Sequence, residues 1–234
     1  MSNRGEATES PRMFESDFLD FFSRCHPAVV VVLYVPGVLA PLFESLRRAS
    51  VSTVATSYFF VFAFWFWTLA EYWLHRLVFH WQSPSAWGKR LHFLIHGVHH
   101  RWPLDRYRLV MPPGASIPLY FAFLGLFLAL FGRFGWSLHA GFVAGYLFYD
   151  LTHFWLHHGA PRSSYGRRLR RNHMLHHFKD SSARFAVSNL IWDRIFGTTG
   201  TTVSSGGGRG PAGPPLRAEC SRSRGPEASS RASH

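Results

Sequence analysis

His92-Phe-Leu-Ile-His96-Gly-Val-His99-His100 is the stretch from which the fold of this 234-residue chain can be read. Three further clusters share its character: His75-Arg-Leu-Val-Phe-His80, His153-Phe-Trp-Leu-His157-His158 and His173-Met-Leu-His176-His177. Most of the 15 histidines sit in these clusters, and almost none in the apolar runs between them. Neutral imidazole is the commonest protein metal ligand, and a spacing of three or four residues places two rings on one helix face. His96/His99/His100, His153/His157 and His173/His176/His177 have that spacing. His75 and His80 do not, because five residues at about 100° each leave them apart around an ideal α-helix. Their spacing predicts a helix end or a local bulge between them. A tetrahedral zinc site takes about four ligands, so this many convergent imidazoles predict two metals sharing one site. A row of interfacial histidines meeting lipid headgroups is the competing reading, and it does not call for four repeats of paired spacing.

Composition places these clusters in a membrane protein. Aromatic residues make up 17% of the chain, with 23 Phe and 9 Trp, while charged residues are only 16%, below the roughly 25% of soluble domains. The formal charge of +12 would ordinarily raise nucleic acid as a partner. Here the Arg and Lys residues flank long apolar segments and no nucleic-acid motif accompanies them, so the anionic partner is a lipid headgroup surface. Cys25 and Cys220 lie near opposite ends and form neither a disulfide framework nor a CxxC pair.

The chain divides into a polar lead (residues 1–26), a membrane-embedded domain (27–199) and a tail (200–234) whose Gly, Ser, Pro and Arg content predicts disorder. Four apolar runs, 27–43, 51–70, 115–131 and 136–154, are each long enough to be read as membrane helices, the first kinked at Pro36-Gly37. The second and fourth run directly into histidine clusters followed by Arg and Lys. The positive-inside rule then puts both termini and all four clusters on the cytoplasmic side. The predicted fold is therefore all-α: four transmembrane helices under a cytoplasmic, histidine-rich helical cap. Trp73, Trp81, Trp102 and Trp155 are placed as interfacial belt residues, and the lone His139 as a polar group near the opposite interface.

Several stretches carry a resemblance. EYWLHRLVFH (71–80), HFLIHGVHHRWPLDRYRLVMPP (92–113), GYLFYDLTHFWLHH (145–158), RNHMLHHF (171–178) and WDRIFGT (192–198) resemble the fatty acid 2-hydroxylases of the fatty acid hydroxylase/sterol desaturase superfamily. The proline-bounded part of the second stretch is more particular than the histidine spacing itself. Carried onto this chain, the resemblance implies a dinuclear site made by His75, His80, His96, His99, His100, His153, His157, His173, His176 and His177. His92 and His158, each one helical step from such a ligand, are candidates for additional ligands or supporting positions. Glu71, four residues before His75, and Asp150, three before His153, are placed to accept the second ring N–H and fix the tautomer, with a helix-cap or ion-pair role as the alternative. Asp105 and Arg108 are read as structural. WDRIFGT is expected to close the cap with its apolar side chains.

The resemblance implies two iron ions, for which zinc can substitute in purified protein, and O₂-dependent hydroxylation at C2 of a fatty acyl chain held in ceramide or another acyl lipid. Zinc has no redox chemistry to offer that reaction. No strand followed by Gly-x-Gly-x-x-Gly is present, so electrons are expected from a separate cytochrome b5, ferredoxin or reductase. Oxidation of a sterol or carotenoid by the same site, or a non-redox membrane zinc protein, are the alternatives. The expected location is a bacterial inner membrane or the endoplasmic reticulum, depending on source. If the histidine clusters face the cytoplasm, Phe178→Cys should stay unmodified when a membrane-impermeant thiol reagent is added to intact cells, and react once the cells are opened.

Overall fold

A computed structural model describes residues 10–48 and 51–200, which are helix and loop with no strand among them. Residues 1–9 of the lead, and the tail beyond Gly200, lie outside the described residues. What is described of the lead contains a short helix, α1 (Asp17–Phe22), capped by Ser16. It is tied to the 102–112 loop: the Ser10 N–H donates to Asp105 at 3.0 Å and Arg108 Nη2 donates to Asp20 at 2.9 Å. Asp105 and Arg108 thus have the structural role their sequence context suggests, and their partners lie about ninety residues upstream.

Helix α2 (Pro27–Arg47) starts with proline at its first position, where the missing N–H has no intrahelical partner to lose. It then runs unbroken past Pro36 and Pro41. Helix α3 (Thr53–Trp73) is capped by Ser52 and passes without a break into a π-helical turn, Leu74–Phe79. Helix α4 (Ala86–His92), a second π-helical turn (Phe93–Gly97) and α5 (Val98–Arg101) form one short rod. Helix α6 (Pro113–Phe131) turns at Gly132–Phe134 into α7 (Gly135–His158), and Gly132 takes the left-handed φ of 53° that the reversal requires. Helices α8 (Ser164–Phe178) and α9 (Ile191–Ile195) complete the described residues.

By length and hydropathy, three stretches are able to cross a membrane: Pro27–Arg47, Thr53–Phe79 and Pro113–His158. The sequence reading counted four because it divided the last stretch at its turn. That stretch is 46 residues long and is folded into two helices lying side by side, with Phe123 and Phe127 of α6 at 5.0 and 5.3 Å from the Phe142 ring of α7. The outer faces of these helices are apolar and exposed, as at Val32, Phe62 and Leu130, which suits contact with lipid tails.

Helix α7 is the hub, packing on α2, α3 and α6. Lipid tails are as apolar as leucine, so the hydrophobic effect does not hold such helices together and close packing must. Two glycines make the approach possible. A Cβ on Gly141 would stand 2.1 Å from the Phe60 carbonyl oxygen, and one on Gly145 would stand 2.5 Å from Trp67 Cβ. Leu138, Phe142, Val143 and Tyr146 fill the surrounding space against Tyr34, Ala63 and Trp67. We expect Gly141→Val to destabilise the fold by about 1–3 kcal/mol or more through overpacking. Gly125→Ala, with nothing within 4 Å of the new methyl, should instead be neutral or stabilising by up to about 1 kcal/mol from helix propensity. Thermal unfolding of both variants in detergent checks the opposite signs.

Candidate metal centre

The first π-helical turn resolves the awkward spacing of His75 and His80. Within it the His80 N–H bonds the His75 carbonyl at 3.2 Å, an i to i+5 bond, so residues five apart stand over one another. Their Nε2 atoms come within 3.2 Å. His96, in the second π-helical turn, meets His75 at 3.1 Å and His100 at 2.9 Å, and His176 of α8 meets His80 at 3.0 Å, all through Nε2. These five rings form one group.

A second group lies beside it. His99 Nε2 is 3.0 Å from His177 Nε2, and His173 Nε2 is 2.8 Å from that of His157 and 3.1 Å from that of His177. His153 completes this set, its ring centroid 4.6 Å from that of His99 and 4.7 Å from that of His173. Within each group of five, every candidate donor atom lies within 4.8 Å of every other. The groups share a wall, where the His100 and His177 rings approach to 4.3 Å.

Elementary chemistry says what these groups are fit to hold. The Nδ1–H of His75 donates to the Phe185 carbonyl at 2.6 Å, and that of His176 to the Ala183 carbonyl at 2.7 Å. In a neutral ring with Nδ1 protonated, Nε2 carries only a lone pair. The lone pair so fixed on His75 Nε2 stands 3.1 Å from His96 Nε2 and 3.2 Å from His80 Nε2, a convergence that suits ligands around one cation. At metal–nitrogen bonds of about 2.1 Å, two ligands at right angles lie about 3.0 Å apart, which matches the observed spacing. The residues of each group therefore fit a bound metal ion.

Burial, and then the neighbouring imidazoles, keep the rings neutral. Burial and His176 push both His80 and His100 down to about 3. His96, His99 and His173 lie well below the usual histidine value for the same two reasons, with His75 the main neighbour of His96 and His153 that of His99 and His173.

The supporting groups differ from those expected. Glu71 does not reach His75. It is buried, and its Oε1 accepts the Ser188 N–H at 2.9 Å and the Ser188 hydroxyl at 2.6 Å. It thereby anchors the 183–190 loop, whose Phe185 carbonyl takes the place predicted for the carboxylate. Asp150 does not orient His153 either; among the described residues neither its Oδ2 nor the His153 ring nitrogens have a hydrogen-bond partner, and Asp150 lines a cavity. His92 and His158 are half-buried and belong to neither group. His139, near the start of α7, is fully buried at the cavity wall, against Tyr120.

One buried carboxylate that fixes the 183–190 loop carries little signal in the sequence. Asp193 Oδ1 accepts the Phe185 N–H at 2.8 Å and the Thr198 hydroxyl at 2.9 Å, and Oδ2 accepts from Asn172 at 3.1 Å. The rest of the 192–198 segment closes on α3 as expected, with Trp192 Nε1 donating to Thr68 at 3.0 Å and Phe196 stacked 5.0 Å from Tyr72. The only sequence signal for Asp193 was its acidity within that apolar closing segment.

The cavity beside the histidines has a volume of about 600 Å³. His96, His99 and His153 lie in its wall, so both groups reach it, and apolar residues such as Phe79, Trp67 and Phe142 line most of the remainder. Along α7 it extends from His153 to His139, fourteen residues or about 21 Å of helix.

Residues 60–198 match the family model described as fatty acid hydroxylase. A dihydroceramide fatty acyl 2-hydroxylase of Arabidopsis thaliana is 37% identical over 195 residues, 83% of this chain and 82% of that protein. A fatty acid 2-hydroxylase of Mus musculus is 36% identical over 80% of this chain but only 56% of its own length. Among solved structures, the hydroxylase domain of full-length scs7p superposes with a TM-score of 0.73 at 35% identity, covering 78% of this chain and 69% of that one.

The depressed histidine values set a pH dependence. A ring whose folded value lies below its unfolded value near 6.5 contributes stability that is complete above about pH 6.5 and is lost as pH falls toward the folded value. We expect the melting temperature of metal-free protein to fall between about pH 6.5 and about pH 5, at up to about 1.4 kcal/mol per buried ring per pH unit. A flat melting profile over that window would mean that the rings are solvated.

Proposed function

This chain belongs to the fatty acid hydroxylase family, and from that premise we propose that it is a di-iron monooxygenase acting at C2 of a fatty acyl chain carried in ceramide or a related acyl lipid. The reaction replaces one C–H bond at that carbon by C–OH, consuming O₂, two protons and two electrons and releasing one water. Iron bound by the two groups would supply the O₂ and redox chemistry that imidazole lacks. His75, His80, His96, His100 and His176 would hold one ion, and His99, His153, His157, His173 and His177 the other. Bound ions of this kind would be held by neutral rings, and burial already keeps His80 and His100 in that form.

The observation carrying this reading is the shared cavity. A single apolar channel touches both groups through His96, His99 and His153, so a chain lying in it brings one carbon to the seam between them. The protein's work there is positioning: the wall along α7 fixes how far the tail can enter, and that depth selects the carbon presented. Exclusion of water by Trp67, Phe79 and Phe142 keeps the seam dry. The relatives' names, a dihydroceramide fatty acyl 2-hydroxylase among them, support an amide-linked acyl chain as the substrate. Electrons would come from a separate cytochrome b5, ferredoxin or reductase. In this reading the histidine-bearing ends of α3 and α7 would face the cytoplasm, on the strength of the Arg and Lys residues that follow them, and α6 and α7 would cross as a hairpin.

Reconstitution tests the assignment. Iron-loaded protein supplied with an electron donor, O₂ and ceramide should form 2-hydroxyacyl product by lipid mass spectrometry, and zinc-loaded protein should form none. His96→Ala and His153→Ala, one from each group, should each abolish product, whereas His92→Gln should keep most of it. Absence of any C2 product from the iron form with a working donor would overturn the 2-hydroxylase reading.

A further inference from the structure

The two groups of five are supported unequally. In the group of His75, two rings donate Nδ1–H to carbonyls of a single loop, His75 to Phe185 and His176 to Ala183. That loop is fixed from behind. Asp193 Oδ1 holds the Phe185 N–H at 2.8 Å and the Ala186 N–H at 3.4 Å, Glu71 holds Ser188, and the Arg184 N–H bonds the Thr198 carbonyl at 2.7 Å. In the group of His99 the Nδ1 atoms of His99, His153, His157, His173 and His177 are all buried, and none has a hydrogen-bond partner among the described residues.

A ligating imidazole whose second N–H is held by an acceptor is more basic and is fixed in orientation. We propose that the two metal positions differ in kind: the His75 group is a tightly held position tuned by the 183–188 loop, with Asp193 as its positioning residue, and the His99 group is a labile one. Asp193 touches no ligand. It acts by setting the backbone of Phe185, whose carbonyl fixes the tautomer and tilt of His75. Two rings of the labile group, His99 and His153, line the cavity, against one, His96, of the tight group. The exchangeable position is thus the one more widely open to the lipid.

The inference rests on the two-metal reading, and its test separates the two. Full-length protein purified with its metal is challenged with excess EDTA in detergent, and iron plus zinc per chain is followed by elemental mass spectrometry. We expect two equivalents at the start and release in two phases. His177→Ala should remove the fast phase and keep the slow one, and His176→Ala should do the reverse. Asp193→Ala should speed the slow phase about 10- to 100-fold, the usual effect of losing a group that supports a ligand, while leaving the fast phase unchanged. Asp193→Asn, which retains an oxygen acceptor for the Phe185 N–H, should restore slow release. Should Asp193→Ala fail to accumulate, Asn172→Ala, which strips the partner from Oδ2, should give a smaller acceleration confined to the same phase. Release of both equivalents in one phase, or equal acceleration of both phases by the Asp193 or Asn172 change, would overturn the asymmetry and leave the two-metal reading standing. A chain that never holds more than one equivalent would overturn both.

Discussion

Ten imidazole rings facing one another is the constraint on which everything else in this structure depends. Their nitrogens approach to 2.8–3.2 Å, a spacing that is repulsive for lone pairs without a cation and unfavourable for imidazolium rings at any time. The fold holds them there by rigid means. Two π-helical turns re-aim His75, His80 and His96, and α7 carries His153 and His157 out of its packed core. Helix α8 and the loop after it close the far side. Because the rings are buried and neutral, a metal ion would meet donors already deprotonated, and those of His75 and His176 already oriented by backbone carbonyls.

The membrane-facing half and the histidine-bearing half share one element. Helix α7 runs from the turn at Gly132–Phe134, past the glycines that admit α3, and ends in His157 and His158. Its wall of the cavity therefore has a depth set by helix packing and an end set by the clustered histidines. A change at Gly141, far along α7 from His153 and His157, would shift both at once. This coupling explains why an apolar channel and a polar cluster, which ordinarily avoid each other, can occupy the same helix.

Much of this was legible in the sequence, for identifiable reasons. Apolar runs ending in histidines located the helices and the side on which the rings gather, and the five-residue gap between His75 and His80 foretold a departure from α-helical geometry. Backbone acceptors were not legible, since any residue supplies a carbonyl; the Phe185 and Ala183 carbonyls take roles the sequence would assign to carboxylates. Proximity along the chain misled for the same reason: Glu71 is one turn from His75 yet bonds Ser188, 117 residues away. The burial of His139 was not legible either, since a lone histidine near a helix start gives no sign of the aromatic wall that covers it.

The His-x-x-His-His pattern carries information that its spacing does not reveal at first sight. On a helix at about 100° per residue, positions i and i+4 lie about 40° apart, while i+3 lies about 60° to the other side of i and about 100° from i+4. In both copies of the pattern the structure follows that division. His96 and His100 enter one group and His99 the other; His173 and His177 enter one group and His176 the other. Each copy therefore straddles the seam between the two groups, and the two copies do so in opposite senses. The His153 and His157 pair lacks the i+3 member and serves one site only, as the His75 and His80 pair serves the other through its π-helical turn. Two straddling triplets and two one-sided pairs are what build two sets of five with a common wall. A substitution at an i+3 position such as His99 or His176 should for this reason disturb the opposite site from one at its i+4 neighbour, although the two residues are adjacent in sequence.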